Sequence, residues 1–310
     1  MVTEKWCSSN PSLGFANHFD NIFNTFSESV LDHNLHTLHF DESYLLYRVH
    51  IDQVLLNYCL SLNIKVVFFS FGKDNPIAPS ISCIEMLKEK GIFTCFIWYD
   101  NNPSELSLRV SLRDLIDLNI IIDYPRSDIH DSLSKSDKDL YLWTPESEYY
   151  FRPESQNIDV SFVGSCRYKD RANYISRLKE RVPDIIVSGG QREEKLSFSS
   201  YASLIRRTKI GINFCKNPMG NGYSQTKGRV FEIIASKSLL LEEKNESTPN
   251  FFTPNEDYIE FSSIDELVDK INYFKQNESE RIKIAESGYN KYTNNYTSKH
   301  FWNKVMEKIK

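Results

Sequence analysis

The chain has 310 residues, of which 40% are hydrophobic, 13% aromatic and 25% charged, a globular composition that excludes fibrous and disordered classes. At roughly 150 residues per domain the length predicts about two domains, each large enough to bury a core. Lys and Arg total 37 against 42 Asp and Glu, a net charge of -5, so no global field recruits nucleic acid or an anionic membrane, and an anionic ligand must be held locally.

In chain order, the first residues lack a basic stretch followed by an apolar one, so no secretory signal is expected. The cysteines Cys7, Cys59, Cys83, Cys95, Cys166 and Cys215 show no CxxC spacing, which predicts reduced thiols in a cytoplasmic protein. His18–Leu31 carries Phe19, Ile22, Phe23 and Phe26 at helical spacing; a short strand over Leu35–Phe40 and a helix over Tyr44–Leu60 follow. Ile64–Phe71 and Ile92–Tyr99 are apolar runs, far below the roughly 20 residues that span a bilayer, and read as parallel strands buried on both faces. Helices over Ser80–Lys90, closed by Gly91, and over Ser104–Ile116 flank them, and Asn119–Asp123 adds a strand. Ser127–Pro153, with its Asp, Ser and Lys clusters and two Pro, reads as a connector. The alternation then resumes. Strands are expected over Ile158–Val163, Asp184–Ser188, Ile210–Phe214 and Leu239–Glu242, with helices over Arg171–Arg181, Tyr201–Arg207 and Arg229–Ser236. Ile264–Phe274, Glu278–Tyr292 and Ser298–Ile309 also read as helices. Two βα series predict an α/β protein of two Rossmann-like, doubly wound domains facing across a cleft, residues 1–153 and 154–297.

Open α/β sheets bind ligands beyond the carboxyl ends of their strands. There Gly164 and Ser165 follow a strand and precede Arg167 and Lys169, an arrangement in which glycine lets the chain approach an anion that backbone N–H groups and cations hold. The plain alternative is an ordinary turn with solvated cations. In Gln225–Ser236, Gly228 precedes a helix whose first turn carries Arg229, a bidentate donor, while Glu232, one turn on, could accept two hydrogen bonds from a ribose diol. A surface Arg–Glu pair, worth little, is the alternative. Ser188 and Gly189 could pass a base or simply turn, and Lys209 stands among cations, Arg206 and Arg207, that also suit a helix C-terminus. In the first half, His18 opens a helix and Asp100 ends a buried strand; these are the candidates for acceptor-side chemistry, against a surface His and a helix cap. His33, His36 and His39 do not read as a metal site, because His36 and His39 would point to opposite faces of a strand. No Walker A, GxGxxG, GxSxG or HExxH sequence is present.

The stretch Val160–Tyr292 resembles the CgeB-like (YkvP-type spore-coat) glycosyltransferases of the group 1-like GT-B family. The motifs that carry the resemblance are FVGS at 162–165, Arg171, TKIGIN at 208–213, QTKGRVFEIIAS at 225–236, LLLEE at 239–243, Tyr258, DEL at 265–267 and ERIKIAESG at 280–288. GIFTCFIWYD at 91–100 and FRP at 151–153 are looser matches. The resemblance implies a GT-B fold, a nucleoside-diphosphate sugar as donor substrate with no cofactor and no obligatory metal, Glu232 on the donor ribose, and Gly164, Ser165 and Arg229 on the diphosphate. It also implies that residues 298–310 form a helix crossing back to the first domain. Two positions depart from the family: Ser224 stands where larger relatives carry a Glu, and Lys237-Ser238 replaces a Gly pair. The expected activity is sugar transfer to an unknown glycan, surface polymer or small molecule. The alternatives are a catalytically silent nucleotide-sugar-binding or coat-associated protein and a DNA-base glucosyltransferase, the latter disfavoured by the net charge.

Overall fold

The computed structural model describes residues 1–13, 15–16, 19–72, 75–99, 103–122, 137–166, 169–189, 196–216 and 224–309. The chain divides into two compact units, Met1–Trp143 with Phe301–Lys310, and Thr144–His300. Among the described residues no helix is long and apolar enough to cross a membrane.

In the first unit β1 (Val2–Thr3) precedes a π-helical turn, Phe19–Asn24, that continues into α1 (Thr25–Ser29). Then come β2 (Leu38–His39), α2 (Phe40–Tyr47), α3 (Leu55–Ser61), β3 (Val66–Ser70), α4 (Ile81–Glu89), β4 (Phe93–Trp98), α5 (Pro103–Leu112), β5 (Leu118–Ile122) and β6 (Asp139–Leu142). The sheet has the order β2-β1-β3-β4-β5-β6 and is parallel throughout. Its central strands β3, β4 and β5 are apolar runs buried along nearly their whole length, as a parallel sheet covered on both faces requires. The helix expected over 44–60 is two helices. Arg48 leaves α2 with a left-handed φ of 56°, and Ser43 Oγ donates to the Val49 carbonyl at 3.1 Å, turning the chain before α3. The stretch read as a connector contains β6, held by a buried polar relay: Trp98 Nε1 donates to Asn119 Oδ1, Asn119 Nδ2 to Asp139 Oδ1, and Arg109 ion-pairs with Asp139.

The second unit holds β7 (Ile158–Val163), α6 (Lys169–Arg181), β8 (Ile186–Ser188), α7 (Phe198–Arg206), β9 (Thr208–Asn213), α8 (Gly228–Ala235), β10 (Leu239–Glu243), β11 (Ile259–Phe261), α9 (Ile264–Gln276) and α10 (Glu278–Asn295). Its parallel sheet runs β11-β10-β9-β7-β8. From β7 the chain therefore adds β8 on one side and β9 on the other, which puts the topological switch point between β7 and β9. Helix α8 is buried along nearly its whole length. It comes close to the sheet because Gly211 in β9 has no Cβ; one there would lie 2.8 Å from Ile233. The last helix, α11 (Ser298–Ile309), runs from the second unit into the first, where Trp302 is fully buried against Phe26 and donates through Nε1 to Thr25 Oγ1 at 3.0 Å.

Candidate functional site

A ligand of a doubly wound sheet sits outside the carboxyl ends of the strands, at the switch point. In the second unit those ends are Gly164, after β7, and Asn213, which ends β9. Arg229, in the first turn of α8, reaches both. Its Nη1 donates to Asn213 Oδ1 at 2.9 Å. Its guanidinium also covers Gly164 so closely that a Cβ there would lie 2.9 Å from Nη2 and 3.1 Å from Cζ. Among the described residues Arg229 Nε is buried with no hydrogen-bond partner, as is Thr226 Oγ1 three residues earlier. Buried orphan donors of this kind are rare in folded chains and call for an explanation.

Glu232, one turn further along α8, is only 7% exposed. Tyr201, at the start of α7, donates its hydroxyl to Glu232 Oε2, leaving the other carboxylate oxygen for a further donor. Burial raises the pKa of Glu232, and Arg229 and the Tyr201 hydroxyl oppose the rise. The Tyr201 hydroxyl is itself pushed well above the usual phenol range by burial and by the charge of Glu232. Tyr201 is also part of an aromatic group with Phe151 and Phe198.

Behind Arg229 lies a buried polar chain. Asn213 Nδ2 donates to Glu242 Oε2 at 2.8 Å, and Glu242 Oε1 accepts from Asn245 Nδ2 at 3.1 Å. Asn213 and Glu242 are direct partners in the register of β9 and β10, and both are fully buried. Burial pushes the Glu242 carboxyl up to about 8, against the pull of the Asn213 hydrogen bond.

The residues singled out from the sequence separate into groups. Gly164, Arg229 and Glu232 come together as described. The room at Gly164, read as access for a ligand, is filled by the Arg229 guanidinium. Gly164 N–H donates to the Ser188 carbonyl at 2.9 Å, which joins β7 to the turn at Gly189, where φ is +95°. A Cβ at Gly189 would lie 2.9 Å from the Gly164 oxygen, so these two glycines pack backbone on backbone. The Ser165 carbonyl accepts from Arg171, whose guanidinium also donates to the Lys216 carbonyl and so ties together the segments leaving β7 and β9. Gln225 is buried, its N–H donating to the Cys215 carbonyl at 3.2 Å. Gly228 lies against a residue that sequence reasoning missed: a Cβ there would be 3.1 Å from Oε1 of the buried Glu146. The first turn of α8 thus faces a carboxylate of its own unit. Lys209 is not brought to the site. It stands at the amino end of β9, ion-paired with Asp159 at 2.7 Å, because a strand's two ends lie on opposite edges of the sheet. His18, Asp100 and Arg167 lie outside the described residues. Asn213, Glu242 and Glu146 carried one signal in the sequence: polar residues closing or bordering apolar runs. Lys237, where the resemblance implies a glycine, takes a left-handed φ of 58° between α8 and β10.

This geometry, a parallel α/β sheet with a cation and a buried carboxylate at its switch point, is that of a doubly wound α/β protein, and the sequence and structural likenesses narrow the class. Residues 151–307, just over half of the chain, match the family described as glycosyl transferase-like, and the chain belongs to that family. No curated protein matches the chain at a significant level. Among solved structures, TarM is similar at 10% identity over 82% of this chain with a TM-score of 0.57; this chain covers only 57% of TarM. Anabaena Alr3699/HepE, in complex with UDP and glucose, is similar at 7% identity over 88% of this chain and 84% of its own, with a TM-score of 0.60. A glycosyltransferase from Rickettsia africae is similar at 13% identity, 83% and 79% coverage, and a TM-score of 0.55. The fold class is therefore α/β with two parallel sheets, shared with GT-B glycosyltransferases.

Proposed function

We propose that the chain is a CgeB-type glycosyltransferase that moves a sugar from a nucleoside-diphosphate sugar to a glycan, surface polymer or small molecule. The observation that carries this reading is the combination, at one switch point, of a guanidinium with an orphan buried donor and a buried carboxylate with one oxygen left to accept. Phosphate oxygens need donors, preferably charged ones, and a ribose diol needs an acceptor. Arg229 supplies the first and Glu232 the second, one helical turn apart. Donors fixed by the fold stabilise the charge that develops on a departing diphosphate, and in this reading Arg229 and the backbone N–H groups near Ser165 do so in place of a metal. The first unit takes the acceptor, with His18 and Asp100 as its proposed chemical groups. UDP-sugars are the first donors to test, because the HepE structures contain UDP and UDP-glucose.

The test is a thermal-shift panel of UDP-, GDP-, dTDP- and ADP-sugars, followed by an assay for donor hydrolysis without acceptor. A donor at a hundred times its Kd stabilises the fold by about 2.7 kcal/mol, so one sugar nucleotide should raise the melting temperature and be slowly hydrolysed. No shift with any donor would overturn the reading. Tight binding without hydrolysis or transfer across an acceptor panel would favour a silent binding protein instead.

A further inference from the structure

Arg229 is held from behind by a hydrogen-bond chain whose polarity is fixed at both ends. Asn245 Oδ1 accepts from the backbone N–H groups of Ser247 (2.9 Å) and Thr248 (2.8 Å), so Asn245 must turn its Nδ2 toward Glu242 Oε1. On the other side, Arg229 can only donate, so Asn213 must turn Oδ1 to Arg229 and Nδ2 to Glu242 Oε2. The carboxyl group of Glu242 thus accepts from two amide donors, neither of which can rotate without facing donor to donor or acceptor to acceptor, while Thr248 Oγ1, 3.4 Å from Oε1, is the group that a proton on Glu242 can face. An amide at 242 would set an NH2 group against one of them. All three residues are buried, where an unmade hydrogen bond is costly.

We propose that Asn213 and Glu242 are positioning residues that fix the Arg229 guanidinium over Gly164 and thereby set the affinity of the site for the diphosphate rather than for the nucleoside. This rests on the donor reading given above. Neither residue touches the ligand in this arrangement; Glu242 acts through Asn213, and Asn213 through Arg229.

The experiment compares UDP with uridine by calorimetry in the wild type, Asn213→Asp, Glu242→Gln and the double variant Asn213→Asp/Glu242→Gln. Glu242→Gln sets NH2 against NH2, whereas in Asn213→Asp the two carboxyl groups can still meet by sharing a proton. The double variant restores every hydrogen bond with the direction between 213 and 242 reversed and the buried charge unchanged in number. Glu242→Gln should weaken UDP by about tenfold to a hundredfold, the loss a charge-assisted hydrogen bond accounts for, and change uridine by less than about twofold, while Asn213→Asp should cost less. The double variant should recover UDP affinity to within roughly threefold, the mark of a coupled pair. A Glu242→Gln variant that lowers the melting temperature but leaves the ratio of UDP to uridine affinity unchanged would overturn the proposal, as would a double variant that recovers stability but not UDP binding. A wild type that binds none of UDP, GDP, dTDP and ADP would withdraw the donor reading, and this inference with it.

Discussion

Gly164 shows how one missing Cβ organises the site. The atoms an alanine would meet are the far end of Arg229, at 2.9 to 3.1 Å, so the side chain swings aside while the backbone stays. Gly164→Ala should therefore change the melting temperature little but weaken nucleoside diphosphate binding by about tenfold or more, the worth of a displaced charged donor, as read by calorimetry. Glu242 makes a second prediction. Its carboxyl is raised from the ordinary 4.5 to about 8 by burial, so the folded state holds a proton that the unfolded chain has released. The stabilisation is complete below about pH 4.5 and is lost as pH rises through about 8. Denaturation followed between pH 5 and 8 should show stability falling with pH, with a shallower slope in Glu242→Gln; equal slopes would assign the dependence to other groups, such as Glu232. At this scale the sequence announced Gly164, Arg229 and Glu232, because a glycine after a strand and a charged first helical turn have known uses. It gave Asn213 and Glu242 a place in motifs but no role, and did not announce Glu146. Their roles depend on which strands are neighbours, and strand order is not a local property of the chain.

At the level of elements, the long parallel strands and amphipathic helices were legible. β7 was expected over Ile158–Val163 and is found there, and Ser80 accepts from Cys83 N–H at the start of α4 while Gly91 closes it with a φ of 72°. What escaped was short or lacked punctuation. β1 has two residues, too few for any periodicity, yet it lies between β2 and β3. The break between α2 and α3 falls at Arg48, with no Gly or Pro to mark it. β6 is hidden in a polar stretch and is held by Arg109 and Asn119, contacts distant in sequence. Helix α10 offers a test of element packing. Gly288 sits against the turn before β11, where an alanine Cβ would be 2.5 Å from the Asp257 carbonyl oxygen. Backbone cannot yield as a side chain does, so Gly288→Ala should cost about 1–3 kcal/mol, measured as a lower urea midpoint at an unchanged m-value.

On the scale of the whole molecule, two units each carry a parallel sheet, and the last helix returns to the first of them. Trp302 is fully buried there, packed on Phe26 and Phe68. Trp302→Ala should destabilise the first unit by about 3–5 kcal/mol, seen as faster amide exchange in its sheet, while nucleotide binding by the second unit stays within about twofold of wild type. Most glycines that matter lie at the second unit's site and helix contacts, so a chain with only 11 of them can still form such a site. The most direct measurement is calorimetric titration of wild type and Glu232→Gln with the nucleoside diphosphate that gives the largest thermal shift. A carboxylate that receives a ribose diol loses charge-assisted hydrogen bonds on becoming an amide, so affinity should fall by about tenfold to a hundredfold with the fold intact by circular dichroism. Equal affinities in the two proteins would place the nucleotide elsewhere and contradict the assignment of this site.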